Sequence, residues 1–389
     1  MPINMDRAKE LMQKNELDAI LASSPENFFY ATDLYIPFVD RFRGFTSGFG
    51  QFALIPFEGN PTMCVTELDA DLAKETGRIE DQRFTKTWAY FNREEAGKIH
   101  TYPETVSALV DVLNEKGLTD AKIGFEEKVL PIADYNRITK ELPKVRFKDA
   151  SNLFLQVRAV KIQEEINRMR RAAEISVQAF EAAFGVAREG ATESEFMGAF
   201  QQELINQDGY IHKGLIHWNL TTGVHSATVR RGWPLDHKLQ KGDVMRFDGG
   251  AIYKGYRCDM ARARILGSAT EKVKKLYQAL WKAEETMISM IKPGVRFSDL
   301  FKAGMKIVRG TADPNFERKH LGHGLGLITE EEPVIGPKNS SFLEENMVLS
   351  VEVPYYWTGV GGFNVEDVVL VTSHGHEILT AGSPKDLEI

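Results

Sequence analysis

Four carboxylates and one imidazole in the last third of the chain have the residue types to hold two metal ions together. Asp248 and Asp259 lie in FDGGAIYKGYRCDM, His323 in HLGHGLGL, Glu352 at the end of NMVLSVE, and Glu366 in GGFNVEDVVLV. An oxygen-rich set of this size suits two divalent ions that share carboxylates. A hydroxide held between two such ions is a strong nucleophile near neutral pH. The chemistry indicated is metal-assisted hydrolysis. Singly, each residue has an ordinary explanation: Asp is a frequent turn residue, and a His between glycines can sit in a loop. The combination carries the argument. One imidazole among carboxylates suits manganese, with cobalt, zinc and iron as further candidates.

These side chains need elements that bring them together. VMRFDGG and AIYKGY are rich in strand formers, Lys254-Gly255 is a turn signal, and RCDMARARIL returns. Asp248 and Asp259 then sit on opposite arms of a hairpin and can converge. Glu352 ends the strand MVLSVEV and Glu366 lies in the strand FNVEDVVLVT. Carboxylates among β-branched residues carry a desolvation cost that a cation would offset. Before and between the strands come helices. Residues 162–187 place Ile166, Met169, Ala173 and Val177 at a helical period. Thr192-Glu193-Ser194-Glu195 is a capping box that opens a second helix. Residues 272–291, ended by Pro293-Gly294, and 298–308 are the third and fourth.

The chain has 389 residues, which argues for two domains. The first, residues 1–155, alternates helix signals (5–15, 102–116, 131–142) with strand signals in LDAILAS, QFALIPF, PTMCVTE and KIGFEE. That alternation predicts an α/β layer domain. The second, 156–389, carries the ligands. A net charge of −7 gives nucleic acid nothing to bind, and Arg168-Met169-Arg170-Arg171 reads as a solvated helix face. No apolar run approaches the roughly 20 residues of a membrane span. The amino terminus MPINMDRAKELMQKN is polar and helical, unlike a signal peptide. Cys64 and Cys258 read as reduced thiols of a cytoplasmic protein. Cys258 adjoins Asp259 but reads as a small packing residue.

The ligand pattern resembles the pita-bread metallohydrolases: prolidase, aminopeptidase P, methionine aminopeptidase and creatinase. Two aspartates eleven apart (Asp248, Asp259), a Gly-His-Gly-x-Gly histidine (His323) and two glutamates fourteen apart (Glu352, Glu366) carry the likeness. Residues 155–176 are similar to that family's entry helix, and PENFFYATDL to the amino-terminal domain of the prolidase and creatinase branch. The resemblance implies an α+β protein. A pita-bread catalytic domain, a curved antiparallel sheet flanked by helices, would follow a creatinase-like α/β domain. It implies two ions, with Asp259 and Glu366 bridging, Asp248 completing one site, and His323 with Glu352 completing the other. Glu352 would accept the proton of the attacking water. It further implies a homodimer in which an amino-terminal loop closes the neighbouring site. Residues 35–50, with Arg41, Phe42 and Arg43, are the candidate loop, and Trp88 and Tyr90 are further contact candidates.

Three positions depart from the peptidase pattern. Arg231, beside Arg230, stands seventeen before the first Asp where a His is usual. Glu330 stands where a second His is usual, and Asn364 where an Arg is usual. His225 and His320 are candidates to replace the missing imidazoles. Alternatively, Arg230 or Arg231 clamps a carboxylate and Glu330 meets an amine, which suits a small amino-acid-like or dipeptide-like substrate. The expected activity is hydrolysis of an amide bond of the Xaa-Pro kind, or of a related C–N bond. Three alternatives stay open: a lyase on the same scaffold, of the dimethylsulfoniopropionate-cleaving type, with Glu330 as base; a metal-free, creatinase-like amidinohydrolase; and a binding protein without catalysis.

Overall fold

The computed structural model describes residues 3–36, 50–87, 99–207, 220–228 and 234–389. The chain divides into two compact units, Met1–Arg158 and Ala159–Ile389.

The first unit is built on a seven-stranded mixed sheet of order β5-β4-β3-β2-β1-β6-β7. Its strands are β1 (Ala19–Ala22), β2 (Phe52–Pro56), β3 (Thr62–Thr66), β4 (Asp81–Thr85), β5 (Thr101–Tyr102), β6 (Lys122–Phe125) and β7 (Arg146–Asp149). Antiparallel β1, β2 and β3 form the middle, and parallel neighbours flank them. Helices α1 (Met5–Lys14), α2 (Pro25–Thr32), α3 (Ala70–Thr76), α4 (Thr105–Glu115), α5 (Ile132–Glu141) and α6 (Ser151–Ala159) complete the layers. Val106, Leu109, Val112 and Leu113 of α4 pack on Leu21, Leu54 and Ile123 of the sheet. Buried Glu126 ties this unit together by accepting from the amides of Ser23 and Ser24 and from the Asn27 side chain.

The second unit opens with α7 (Gln163–Gly185) and α8 (Glu193–Asn206). The capping box forms as expected: Glu195 N–H donates to Thr192 Oγ1 and Thr192 N–H to the Glu195 carboxylate. Ile166, Met169 and Ala173 are buried, while Val177 is half-buried. Strands β8 (Thr221–Thr222), β9 (Val244–Gly249), β10 (Ile252–Tyr253), β11 (Tyr256–Arg257) and β12 (Met260–Ile265) follow. Lys254 and Gly255 turn the β10–β11 hairpin with φ of 45° and 85°, a left-handed pair that glycine adopts without strain. Helices α9 (Glu271–Met290) and α10 (Phe297–Thr311) form a second pair. Then come β13 (Gly322–Gly324), β14 (Glu331–Val334), β15 (Val348–Glu352), β16 (Tyr355–Trp357), β17 (Gly361–Phe363), β18 (Glu366–Val371) and β19 (His376–Ile378). The segment expected as one strand, FNVEDVVLVT, is two: β17 and β18 are separated at Asn364-Val365.

The large sheet is eight-stranded and antiparallel, of order β14-β13-β15-β18-β12-β9-β8 with β19 on β18. One face packs on helices. Leu349, Val351, Val369 and Val371 share a core with Leu280 and Met287 of α9 and with Phe297 and Leu300 of α10. Phe247 of β9 stacks on Phe184 of α7 at 4.2 Å between ring centroids and meets Phe196 of α8 edge-on. Strand side chains alternate between faces, so Asp248, Ser350, Glu352 and Glu366 point the other way.

Candidate metal centre

Register brings the carboxylates into one row. Asp248 lies opposite Ala261, Ala261 opposite Glu366, and Glu366 opposite Glu352. The row crosses β9, β12, β18 and β15, and the small Ala261 at its centre leaves the space between the acids open. Asp259 lies two residues from Ala261 and so reaches the same face. His323 lies opposite Ser350, which is two residues from Glu352. Its strand is squeezed between two others. A Cβ on Gly322, whose φ is +137°, would stand 2.3 Å from the Ser350 carbonyl oxygen. Only glycine fits there, which accounts physically for half of the Gly-His-Gly motif.

One ligand atom from each of Asp259, His323 and Glu366 falls within 4.8 Å of the other two, and all three residues are buried. His323 Nδ1 lies 3.0 Å from the Gly324 carbonyl, which can only accept. With Nδ1 donating there, Nε2 is the ring nitrogen that faces Asp259 Oδ2, at 3.7 Å. Ser350 Oγ lies within hydrogen-bonding distance of Glu366 Oε1 and of the Asp259 carbonyl. The outer two acids have further neighbours. Asp248 meets Asn364 Nδ2 at 3.4 Å and Arg246 Nη1 at 3.9 Å. Glu352 meets His320 Nδ1 at 3.2 Å, off the line of a hydrogen bond, and Arg318 Nη2 at 3.7 Å. Tyr356 joins the two sides, since the Arg246 and Arg318 guanidiniums lie 5.1 and 5.7 Å from its ring centroid.

Electrostatics test whether cations fit. Burial raises the Asp259 carboxyl well above its ordinary range, and the charges of Asp248, Glu352 and Glu330 raise it further. Glu366 is raised in the same way, by burial and then by Asp259, Glu352 and Asp248. Burial also raises Glu352, against the opposing pull of His323 and Arg318. Asp259, Glu366 and Glu352 are thus each held back from ionising, and multivalent positive charge among them is what would favour their charged forms. Hard oxygen donors, one oriented imidazole and excess negative charge fit divalent metal ions.

The remaining sequence candidates divide. Glu330 is exposed, yet its charge acts on Asp259, Glu352 and His320. His320 is lowered from its ordinary pKa, first by burial and then by His323 and Arg318. His225 is exposed on a short 3₁₀ turn, and its ring neighbour among the described residues is His237 at 6.1 Å. Arg43, Arg41, Phe42, Trp88, Tyr90, Arg230 and Arg231 lie outside the described residues. Cys258 is buried and its thiol is pushed up by that burial, in keeping with a packing role. Sequence reasoning missed Arg246, Arg318, Ser350 and Tyr356. A signal existed for Arg246, which stands two residues before Asp248 and must share its face in a strand.

Residues 167–373 match the model of metallopeptidase family M24, and residues 5–160 match the creatinase/prolidase N-terminal domain. The chain belongs to metallopeptidase family M24. Its fold is accordingly the pita-bread fold, with a creatinase-type domain before it. The chain is 27% identical over 371 residues to the Xaa-Pro dipeptidase of Pyrococcus horikoshii, covering 95% of each. It is 30% identical to an uncharacterized peptidase of Staphylococcus aureus over 72% of this chain and 75% of that one. Among solved structures, the prolidase of Pyrococcus horikoshii superposes with a TM-score of 0.77 at 25% identity, covering 97% of both chains. The Xaa-Pro dipeptidase of Bacillus anthracis superposes with a TM-score of 0.80 at 22% identity, a likeness of fold. Among the described residues, no helix is long and apolar enough to cross a membrane.

Proposed function

We propose that this metallopeptidase hydrolyses the peptide bond of a dipeptide or similarly small substrate, with Xaa-Pro dipeptides as the leading class. The observation that carries the reading is the row of acids on the open face of the sheet, with His323 oriented beside it. The names borne by the relatives support the substrate class. Asp259 and Glu366 would hold two divalent cations in common, Asp248 one of them, and His323 with Glu352 the other. Manganese suits this set best. Such ions lower the pKa of a water towards neutrality and polarise a scissile carbonyl.

The other steps belong to the chain's own side chains. Glu352 accepts the proton of the attacking water and returns it to the departing nitrogen. His320, 3.2 Å from Glu352 Oε1, is the candidate to take the part of a missing imidazole beside that carboxylate. Arg318, backed by Tyr356, and Glu330 supply opposite charges for a small zwitterion, with Arg230, Arg231, His225 and Arg43 as further substrate contacts. We assign the domains to residues 1–155 and 156–389, and infer a cytoplasmic homodimer.

The test is turnover of dipeptides, Xaa-Pro compounds and N-acyl amino acids by manganese-loaded protein. Xaa-Pro dipeptides should be cleaved, with labelled water entering the product. Failure to cleave any of them, or an alkene product free of the label, overturns the reading.

A further inference from the structure

Glu366 opens β18 and Asp259 immediately precedes β12, and these two strands barely touch. β12 and β18 share a single residue pair, Ala261 opposite Glu366, whereas β15 pairs with β18 along its whole length. A one-pair ladder cannot by itself hold two ligands at a fixed separation, and it leaves carbonyls on both strands without a partner strand. Arg262 fills this gap from the helix-covered face. Its Nη1 donates to the Ala261 carbonyl at 2.9 Å and to the Glu366 carbonyl at 2.8 Å. Its Nη2 donates to Asp367 Oδ1 at 2.6 Å. The side chain is 2% exposed, with its guanidinium 5.0 Å from the centre of the Trp281 ring of α9. Asp367 is fixed in turn by the Thr380 hydroxyl at 2.6 Å, and Thr380 accepts the amide of Val368 at 3.0 Å.

From this geometry we infer that Arg262 is the positioning residue of the metal centre. It clamps β12 to β18 from behind and so sets the separation of Asp259 and Glu366, without touching substrate or metal. The inference rests on the proposed metal centre and adds which residue tunes it. A planar fork is required, because three acceptors on two strands must be met by one rigid group. Lysine offers only a point charge on a flexible stem.

The experiment titrates manganese into the full-length chain by calorimetry and records the visible absorption of the cobalt-loaded form. Thermal unfolding is followed in parallel. Arg262→Met should weaken manganese binding about 10- to 100-fold, the usual range for groups that orient metal ligands, and should shift the cobalt bands. Arg262→Lys should recover only part of the loss. Thr380→Val, which takes the hydroxyl from both Asp367 and the Val368 amide, should weaken binding several-fold, and it serves as the test if Arg262→Met does not fold. A lower melting temperature with unchanged manganese affinity and an unchanged cobalt spectrum makes Arg262 merely structural and overturns the inference. Wild-type protein that binds no divalent metal overturns the metal centre itself, a failure visible before any variant is made.

Discussion

Within the site, the inner and outer candidate ligands differ. Asp259, His323 and Glu366 form a buried cluster, whereas Asp248 and Glu352 each have an arginine within 4 Å. Glu352 therefore combines two demands on a proton acceptor, a carboxyl raised by burial and a polar neighbour in His320. Replacing Glu352 with Gln keeps the shape and removes the proton site. Turnover of a cleaved dipeptide should fall by about 100-fold or more. A steady-state kcat within a few-fold of wild type would remove Glu352 from that role. The five candidate ligands were legible because their types and spacing are stated in the chain. Arg318 and Tyr356 were not, because Arg318 lies on a different segment from Glu352 and Tyr356 meets the site through the guanidiniums of Arg246 and Arg318.

At the level of elements, register carries the chemistry. A slip of one residue in β15 or β18 would send Glu352 or Glu366 to the helix-covered face. Gly322 guards that register for β13. Gly322→Ala should cost about 2–4 kcal/mol, from a left-handed backbone and a clash with β15. It should also lower metal affinity by displacing His323. A melting temperature and a metal titration both equal to wild type would show that β13 tolerates a side chain. Helices and hairpins were readable because their signals are local: the capping box at Thr192, the Lys254-Gly255 turn and the period of α7. The break between β17 and β18 was not: Asn364 is a poor strand former, but Phe363 and Val365 on either side of it keep the strand pattern going. Tertiary pairing divides it. A Cβ on Gly362 of β17 would stand 2.0 Å from the Ser226 carbonyl, while β18 pairs with β15.

At the scale of the folded molecule, one group outside the metal centre makes stability depend on pH. Glu165 opens α7, accepting from the Ile162 amide and the Tyr256 hydroxyl, and burial pushes its carboxyl up to about 7 from 4.5. The folded state keeps this proton between those values and the unfolded chain releases it, so stability falls as pH rises through that window. The loss approaches about 3 kcal/mol above pH 7. Glu165→Gln cannot titrate. The difference between wild-type and variant melting temperatures at pH 5.5 and pH 8 should shrink or reverse towards alkaline pH. A difference independent of pH would show that Glu165 is not protonated in the fold.

Sequence alone determined the five candidate ligands, the α+β order of elements and the glycine-flanked histidine. Each depends on residue type and short-range spacing, which the chain states directly. Tertiary structure decided which acids share a row, that Arg246 and Arg318 stand beside the outer candidate ligands, and that Arg262 is buried against Trp281 with its guanidinium on the Glu366 carbonyl. Those outcomes depend on strand register and on pairings more than one hundred residues apart, as between Arg262 and Glu366. The free energy of such pairings comes from the whole sheet closing on its helices, so no local pattern encodes it.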